Sequence, residues 1–319
     1  MITGGTGSFG RTMVKKLLGL HALKVRVLSR DETKQYQLQM EFGSKNFETI
    51  LGDVRDEATV ASALKNIDFV FHAAALKQVP FSEENPIEYV KTNIMGSHNL
   101  LSSLVKSQVK NAVFLSTDKA VYPINAMGMT KSLMEKLVRS SSYTGNSINC
   151  ITRYGNVIGS RGSIIPYLIN QINQNLPVKI TDWNMTRFMM SLEESVDLVL
   201  YAMSHGNSGD LFVKKSPSAD LRTILTSVEN LVGKKAGKVE IQGCRPGEKM
   251  HETILNSEEW TNALEIKDFF QVKSITGINN KTNSVQRSDN EFTSDNTKKL
   301  SIDQLSTMLS QNSELKKLL

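Results

Sequence analysis

The chain begins Met1-Ile-Thr-Gly-Gly-Thr-Gly-Ser-Phe-Gly10, and these ten residues predict the class of fold. Their glycines follow the pattern G-x-x-G-x-x-G. A helix is predicted over 11–20, and an apolar strand is predicted over 24–28. Glycines at this spacing let the backbone turn tightly and approach a pyrophosphate, which rests on the N-terminus of the next helix. The opening therefore predicts a dinucleotide-binding α/β fold.

The same opening leaves little chain for the first strand of such a fold. A strand in a central position needs about five residues, and only Met1 to Thr3 precede the first glycine. We therefore expect this strand to be incomplete and its neighbours to lack some backbone partners, each costing about 1–3 kcal/mol if buried.

Apolar runs further along the chain predict the remaining strands, at 47–54, 67–75, 112–115 and 147–154. Helices are predicted from residue 57, over 85–106 and over 128–139. This alternation of strand and helix is typical of a doubly wound parallel sheet. Past Pro166 the alternation breaks down. We expect a nucleotide-binding domain over residues 1–166 with sheet elements able to return later, a substrate-binding lobe over 167–273, and a polar arm with a short terminal helix over 274–319.

The end of the second predicted strand indicates which dinucleotide binds. It reads Ser29-Arg-Asp-Glu-Thr-Lys34. An acidic residue at this point would hold the ribose hydroxyls of NAD, whereas an arginine accommodates the additional phosphate of NADP. Ser29, Arg30 and Lys34 therefore favour NADP, although Asp31 stands only one place later than the NAD pattern requires. The alternative is a helix N-cap with solvated charges.

A second informative stretch runs from Leu115 to Lys131. It places Ser116, Thr117, Asp118 and Lys119 directly after an apolar strand. Ligands of open α/β sheets bind at the carboxyl ends of the strands. A hydroxyl, a carboxylate and an amine at that position can move protons on a bound substrate. Taken alone, the four residues also fit an ordinary strand end followed by a turn.

The composition narrows the class of protein. A chain of 319 residues with 39% hydrophobic residues can bury a full core. The net charge of +6 is spread without a dense basic run, which suits a polyanionic small molecule and argues against nucleic acid. Cys150 and Cys244 predict no disulfide framework and fit a reducing compartment. No membrane-span-like run and no signal peptide is recognised, so we expect a cytoplasmic protein without membrane or metal partners.

Six short motifs are spread along the chain: STDK at 116–119, PIN at 123–125, TRYGNV at 152–157, SRG at 160–162, MTRF at 185–188 and RPGEK at 245–249. With these motifs the chain resembles the extended short-chain dehydrogenase/reductase superfamily. Within it, the chain resembles the UDP-N-acetylglucosamine 4,6-dehydratases that also invert C5, in capsule and O-antigen polysaccharide synthesis. The resemblance implies a Rossmann domain with a smaller C-terminal lobe, NADP, a UDP-sugar substrate and a homo-oligomer, specifically a hexamer.

The resemblance also implies roles for individual residues. Lys119 would remove the C5 proton, and Asp118 would protonate the departing C6 hydroxyl. Thr117 would hydrogen-bond the C4 oxygen, and Lys131 would orient the nicotinamide ribose. For this chemistry we expect the pKa of Lys119 to be lowered and that of Asp118 to be raised, both of which burial can achieve.

One departure from the superfamily leaves the C4 proton unassigned. The usual tyrosine four residues before the helix lysine is Met127 here, and a thioether has no titrating proton. Tyr122, in the same short loop, is a candidate substitute because a nearby lysine ammonium would lower its pKa. The alternative is that a tyrosine before Pro123 only packs an extended turn.

The expected ligand contacts follow the same motifs. The cofactor contacts are Gly4, Thr6, Gly7, Ser8, Phe9, Gly10, Ser29, Arg30, Lys34, Asp53, Val54, Ala73, Ala74, Lys77, Ser116 and Lys131. The substrate contacts are Lys77, Asn156, Arg161, Thr186, Arg187, Arg245 and Glu248. Asp53 has an alternative as the cap of the helix from residue 57. His72, inside an apolar run, is expected to be a buried structural residue.

Three functions remain open at this level. The first is an NADP-dependent UDP-N-acetylglucosamine 4,6-dehydratase with C5 inversion. The second is a nucleotide-sugar 4-epimerase of the same superfamily, against which Met127 counts because the tyrosine is the expected base there. The third is a non-catalytic NADP-binding protein, against which the Asp118-Lys119 pair counts.

Overall fold

The computed structural model describes residues 1–140, 143, 145–274 and 290–319. Its strands are β1 (Ile2–Thr3), β2 (Val25–Ser29), β3 (Phe47–Leu51), β4 (Phe69–His72), β5 (Asn111–Thr117), β6 (Ile148–Tyr154), β7 (Asn156–Val157), β8 (Val178–Ile180), β9 (Thr186–Met190), β10 (Leu211–Lys214), β11 (Ser218–Asp220), β12 (Val239–Ile241), β13 (Thr253–Leu255), β14 (Ala263–Ile266), β15 (Phe269–Val272) and β16 (Phe292–Thr293). Its α-helices are α1 (Ser8–Gly19), α2 (Glu32–Phe42), α3 (Glu57–Ala63), α4 (Val79–Glu84), α5 (Pro86–Tyr89), α6 (Gly96–Val105), α7 (Ala126–Arg139), α8 (Ile164–Asn173), α9 (Leu192–His205), α10 (Leu221–Val232), α11 (Ser257–Thr261), α12 (Ile302–Gln311) and α13 (Ser313–Lys316).

The main sheet has nine strands within the described residues, in the order β3-β2-β1-β4-β5-β6-β10-β15-β14. The strands from β3 to β10 in this order are parallel, and β15 pairs antiparallel with both β10 and β14. The chain order reverses between β1 and β4, and such a switch point opens a crevice for ligands. The doubly wound α/β fold predicted from the sequence is confirmed.

Strand β1 is short, as expected. Its two residues pair with Val27–Leu28 on one side and with Phe71–His72 on the other. The Met1 ammonium donates a hydrogen bond to the carbonyl oxygen of Phe69 at 2.6 Å. The glycine loop follows Thr3 directly, so the short strand still delivers this loop to the carboxyl edge of the sheet.

Both faces of the sheet are covered, which is why its strands read as continuous apolar runs. One face packs on α3, α6 and α7 through buried side chains such as Val60, Leu101 and Met134. The other face packs on α1, α2 and α9 through residues such as Met13 and Leu198. The predicted helix over 85–106 is interrupted by a π-helical segment, Val90–Met95.

The smaller lobe is built from α8, α10, α12 and α13 around a separate apolar core. Its strands form β11-β9-β7 and β12-β8, and β13 pairs with β16 alongside.

The expected division allowed later elements to return to the main sheet, and several do. Strands β10, β14 and β15, within the range 167–273, belong to the main sheet, and helix α9 packs on it. Helices α12 and α13, from the expected arm, pack into the lobe. The polar stretch at 275–289 lies outside the described residues.

Local capping signals give mixed results. A capping box formed by Ser191 and Glu194 opens α9, and a similar box at Ser301 opens α12. Helix α3 is capped by Asp56, which accepts from the amide of Ala58, so the proposed capping role of Asp53 is wrong. No helix among the described residues has both the length and the apolar character needed to cross a bilayer.

Candidate active site

A cleft of about 1450 Å³ lies at the carboxyl edge of the main sheet and continues to the smaller lobe. Single small-molecule pockets usually measure about 300–1,000 Å³, so this cleft has room for two ligands. The glycine loop lines one end. Arg187, Arg245 and Glu248 line the lobe end. Every residue expected to contact the cofactor lies in the cleft wall.

The glycine loop has no side chains at the positions where its backbone turns most tightly, so a ligand can approach the backbone directly. Gly4 has φ +67°, and a Cβ there would lie 2.7 Å from the Cα of Ala74. A Cβ on Gly10 would lie 2.3 Å from the Cα of Gly5. Helix α1 begins at Ser8 without a side-chain cap, so its first amides face the cleft unpaired by a cap. This is the anion-binding arrangement expected of the loop.

Basic residues lie at the end of β2 beside this loop. Ser29 shares a hydrogen bond with Thr6, with 2.8 Å between the two hydroxyl oxygens. The Arg30 guanidinium is 47% exposed and lies 3.5 Å from a carboxylate oxygen of Asp53. Arg30 is therefore close to a counter-ion yet free to turn toward a ligand.

Asp31 and Lys34 are paired with each other. Asp31 caps α2 by accepting from the amide of Lys34 at 2.9 Å, and their side chains form an ion pair. The side-chain hydrogen bond from Lys34 lowers the pKa of Asp31. Asp31 thus acts as a helix cap, which was the alternative to a ribose ligand.

The strand end after β5 holds a buried charge cluster. The Thr117 hydroxyl donates to Oδ1 of Asp118 at 2.9 Å, and Nζ of Lys119 donates to the same oxygen at 3.2 Å. Nζ also lies 3.1 Å from Oε1 of Glu252. Asp118 is fully buried beneath the cleft wall, whereas Thr117, Lys119 and Glu252 line the cleft.

The cluster shifts the pKa values of its members in different directions. Burial, followed by the charge of Glu252, raises the pKa of Asp118 against the opposing effect of Lys119, as expected for an acid. Burial acts to lower the pKa of Lys119, but Asp118 and Glu252 outweigh it and raise that pKa. The lowered pKa expected for Lys119 is therefore wrong, because the sequence did not reveal the second carboxylate.

Helix α7 brings Lys131 to the cleft. Burial lowers its pKa to about 8, although Glu135 opposes this shift. The neighbouring Thr130 hydroxyl accepts from the Asn93 amide at 3.0 Å, and Asn93 also bonds both backbone groups of Leu76. Asn93 therefore ties α7 to the loop after β4.

His72 is buried in the sheet, as expected from its apolar surroundings. Its Nδ1 lies 2.8 Å from the Thr3 hydroxyl, and its Nε2 lies 3.0 Å from the Ser97 hydroxyl. Ser97 donates its own proton to the carbonyl of Asn93, so Nε2 must be the donor of the ring. Burial lowers the pKa of His72 to about 3, so the ring is neutral.

Tyr122 does not reach the cleft. Its phenol is 49% exposed and donates to Oε1 of Glu291 at 2.7 Å. This hydrogen bond raises the pKa of Tyr122, opposite to the expected direction. The proposed catalytic role of Tyr122 is therefore wrong, since the loop turns the ring outward. Met127 is buried in the cleft wall at the position of the usual tyrosine.

The lobe end of the cleft is lined by the expected Arg187, Arg245 and Glu248, but not by Thr186. Nη2 of Arg187 lies 3.5 Å from Oε1 of Glu248, and Nη1 donates to the backbone of Thr186. The side chain of Thr186 bonds His251 and Ser294 outside the cleft wall. Direct substrate contact by Thr186 is therefore not supported.

Asn156 and Arg161 border the middle of the cleft. Arg161 reaches back to the glycine loop, where Nη2 donates to the carbonyl of Thr6 at 3.0 Å. Lys77 faces the same region, and burial with the charge of Arg161 lowers its pKa. These contacts join the lobe side of the cleft to the end expected to hold a cofactor.

Sequence reasoning missed Glu252 and the reason for Gly155. Glu252 is only 2% exposed, and it was available only as an isolated acid three residues after RPGEK. A Cβ on Gly155 would lie 3.0 Å from Oδ2 of Asp118 and 2.5 Å from Cβ of Phe188. The glycine in TRYGNV therefore leaves room for the buried acid.

Comparison with known proteins agrees with this architecture. The family described as "Polysaccharide biosynthesis protein" matches residues 1–274. A relative from Rickettsia massiliae, named UDP-glucose 4-epimerase, is 41% identical over 97% of this chain and 94% of its own length. A similar relative from Rickettsia rickettsii carries the same name at 40% identity, with the same coverage of both chains.

Solved structures give the same picture. The X-ray structure of Pen from Bacillus thuringiensis aligns with a TM-score of 0.90 at 36% identity, covering 100% of this chain and 97% of that one. A dTDP-glucose 4,6-dehydratase from Streptomyces venezuelae shares the fold, with a TM-score of 0.71 at 21% identity, over 78% of this chain and 85% of that one. The chain therefore belongs to the polysaccharide biosynthesis protein family, built on the fold of the extended short-chain dehydrogenases/reductases.

Proposed function

We propose that this protein is an NADP-dependent UDP-N-acetylglucosamine 4,6-dehydratase that also inverts C5. The observation that carries the proposal is the ion pair of Asp118 and Lys119, whose oxygen and nitrogen are 3.2 Å apart. The amine lines a two-ligand cleft, and the acid is buried directly beneath it. An acid and a base held side by side suit the removal of water across two adjacent carbon atoms.

The two ends of the cleft suit different ligands. The glycine loop and the N-terminus of α1 would hold the pyrophosphate of a dinucleotide. Arg245 and Arg187, at the lobe end, would meet the diphosphate of a UDP-sugar, since guanidinium pairs strongly with phosphate. The Streptomyces dehydratase was solved with NAD bound, and an epimerase from Thermotoga maritima was solved with UDP-glucose.

The form of the dinucleotide is proposed from Arg30 and Lys34. Both line the cleft, Arg30 directly after β2 and Lys34 in the first turn of α2, and Asp31 is engaged in capping α2. Among the described residues, the carboxylate that follows β2 is therefore already engaged and does not offer itself to both ribose hydroxyls. Two cations beside the loop instead favour the 2′-phosphate of NADP.

The reaction then assigns a proton to each residue. NADP, when bound, would accept hydride from C4 of the sugar and later return it to C6. A ketone at C4 acidifies the C5 hydrogen, which Lys119 removes as a proton. Asp118 supplies the proton for the C6 oxygen, which leaves as water, by way of the Thr117 hydroxyl that separates it from the cleft. C5 would then take a proton from water on the opposite face, and Lys119 would release to water the proton that it took from C5.

The C4 hydroxyl proton is assigned to the same cluster. Met127 cannot take it, and Tyr122 faces away from the cleft. Thr117 would receive the C4 proton while passing its own to Asp118, 2.9 Å away. The proton released at C4 then equals the proton needed to make water at C6, so the cluster ends with its starting charge.

Mass spectrometry and proton NMR of the product of UDP-N-acetylglucosamine test the proposal, the first for loss of water and the second for the configuration of each carbon. Loss of one water with inversion at C5 is the expected outcome. An isomer of unchanged mass would instead establish a 4-epimerase, the second candidate, which the names of the Rickettsia relatives favour. An unchanged substrate, with NADP bound, would indicate a non-catalytic binding protein.

A further inference from the structure

Glu252 is held rigidly beside the proposed catalytic pair. It directly precedes β13, and its amide donates to the Ser294 hydroxyl at 2.9 Å. The amide of Ser294 donates back to the carbonyl of Glu252 at 2.7 Å. With 2% exposure, the side chain has little freedom to move.

The two carboxylate oxygens of Glu252 have different surroundings. Oε1 lies 3.1 Å from Nζ of Lys119, whereas Oε2 is buried, has no hydrogen-bond partner among the described residues and lies 4.0 Å from Nζ of Lys249. An acid kept only for stability normally has both oxygens satisfied, because an unsatisfied buried oxygen is costly. Lys119 lies between two carboxylates, while 22% of its side chain remains exposed toward the cleft.

We propose that Glu252 is the positioning residue of Lys119: it aims the amine at the sugar and stabilises the ammonium that forms when Lys119 removes the C5 proton. This inference rests on the proposed function. In the proton transfer, the C5–H bond breaks, its electrons pass toward the C4 ketone, and the proton adds to the lone pair of Nζ. A fixed carboxylate next to a base that becomes cationic is the logic of histidine–aspartate pairs.

The surrounding charges support an ionised Glu252. Burial acts to raise its pKa, but Lys119, Arg187 and Lys249 outweigh burial and lower it. Asp118, the other acid of the cluster, has a raised pKa. Of the two carboxyl groups around Lys119, Glu252 thus remains the anion, while Asp118 is the group that takes up the C4 proton and delivers it to C6.

The first test measures Lys119 without any sugar. The rate at which acetic anhydride acetylates Lys119 is followed against pH by peptide mass spectrometry, in wild type and in Glu252→Gln. Removing a negative charge 3.1 Å from Nζ should move the midpoint to lower pH by about one unit. Glu258→Gln, which neutralises an exposed acid on α11, should leave the midpoint unchanged. An unshifted midpoint in Glu252→Gln overturns the inference, whatever the substrate proves to be.

The second test uses turnover. In Glu252→Gln, reduced cofactor should still form on adding UDP-N-acetylglucosamine. Uptake of deuterium at C5 and loss of water should slow about 10- to 100-fold, the range of a lost charge-assisted hydrogen bond. The acid limb of the kcat/KM profile should move to lower pH with the acetylation midpoint.

A shorter acidic side chain at position 252 distinguishes the effect of the negative charge from the effect of its distance to Nζ of Lys119. Glu252→Asp keeps the charge but withdraws it from Nζ, so kcat should fall while the pH limb stays near that of wild type. Wild-type kcat in Glu252→Asp would refute the positioning role. If wild type itself forms no dehydrated product, the proposed function fails. The acetylation midpoints still show whether the Glu252 carboxylate stabilises the ammonium of Lys119.

Discussion

Replacing Lys119 by methionine removes the ammonium while keeping most of the side-chain volume. Asp118 and Glu252, at 3.2 and 3.1 Å, then lose their shared partner inside the protein. Breaking a buried ion pair from one side costs about 3–5 kcal/mol. Because Lys119 keeps 22% exposure and Arg187 remains nearby, we expect the lower end, about 3 kcal/mol. At about 2–4 °C per kcal/mol, the midpoint of thermal unfolding should fall by roughly 6–12 °C at pH 8.

The stability that Lys119→Met loses relative to wild type should be larger at high pH than at low pH. Without the ammonium, one of the two carboxyl groups has a folded-state pKa well above its unfolded value of about 4. The folded variant then binds a proton that the unfolded chain does not. Its stability relative to wild type is therefore largely retained near pH 5 and lost as the pH rises toward 8.

Unfolding midpoints of Lys119→Met and wild type at pH 5 and pH 8 measure this difference. Lys15→Met, on the exposed face of α1, is the matched control and should show no deficit at either pH. Water loss from UDP-N-acetylglucosamine should be abolished in Lys119→Met while NADP still binds. An equal deficit at both pH values would refute the charge argument, and wild-type dehydration would remove the lysine from the mechanism.

Three further predictions concern the cofactor, the sheet and the loop. Arg30→Ala should weaken NADP about 10- to 100-fold more than NAD, through loss of a charge-assisted phosphate contact; titration with both cofactors checks this, and equal losses would contradict the NADP assignment. Between pH 6.5 and pH 5, wild type should lose more stability than His72→Gln, because the unfolded chain protonates His72 while the folded state, with a pKa of about 3, does not; parallel denaturation curves in that range would refute it. Tyr122→Phe should reduce the cofactor at the wild-type rate in stopped-flow absorbance, since the phenol bonds Glu291 outside the cleft; a slower rate would return Tyr122 to the mechanism.

Local sequence patterns determined the parts of this protein that depend on neighbours along the chain. The glycine spacing, the apolar strands and the capping box at Ser191 each follow from backbone sterics or hydrogen bonding within a few residues. The cofactor end of the cleft was predictable for the same reason, because one loop and the ends of successive parallel strands supply it.

Only the tertiary structure decided which distant groups meet. Glu252 approaches Lys119 across more than a hundred residues, and its charge adds to that of Asp118 in raising the pKa of that lysine against burial. Tyr122 was assigned from proximity in sequence and Thr186 from the MTRF motif, yet the fold turns Tyr122 outward and bonds Thr186 to Ser294. The sequence allowed later elements to return to the main sheet, but only the structure identified β10, β14 and β15 as those strands. Spacing along a chain constrains local geometry, whereas burial and through-space charge depend on the packed whole.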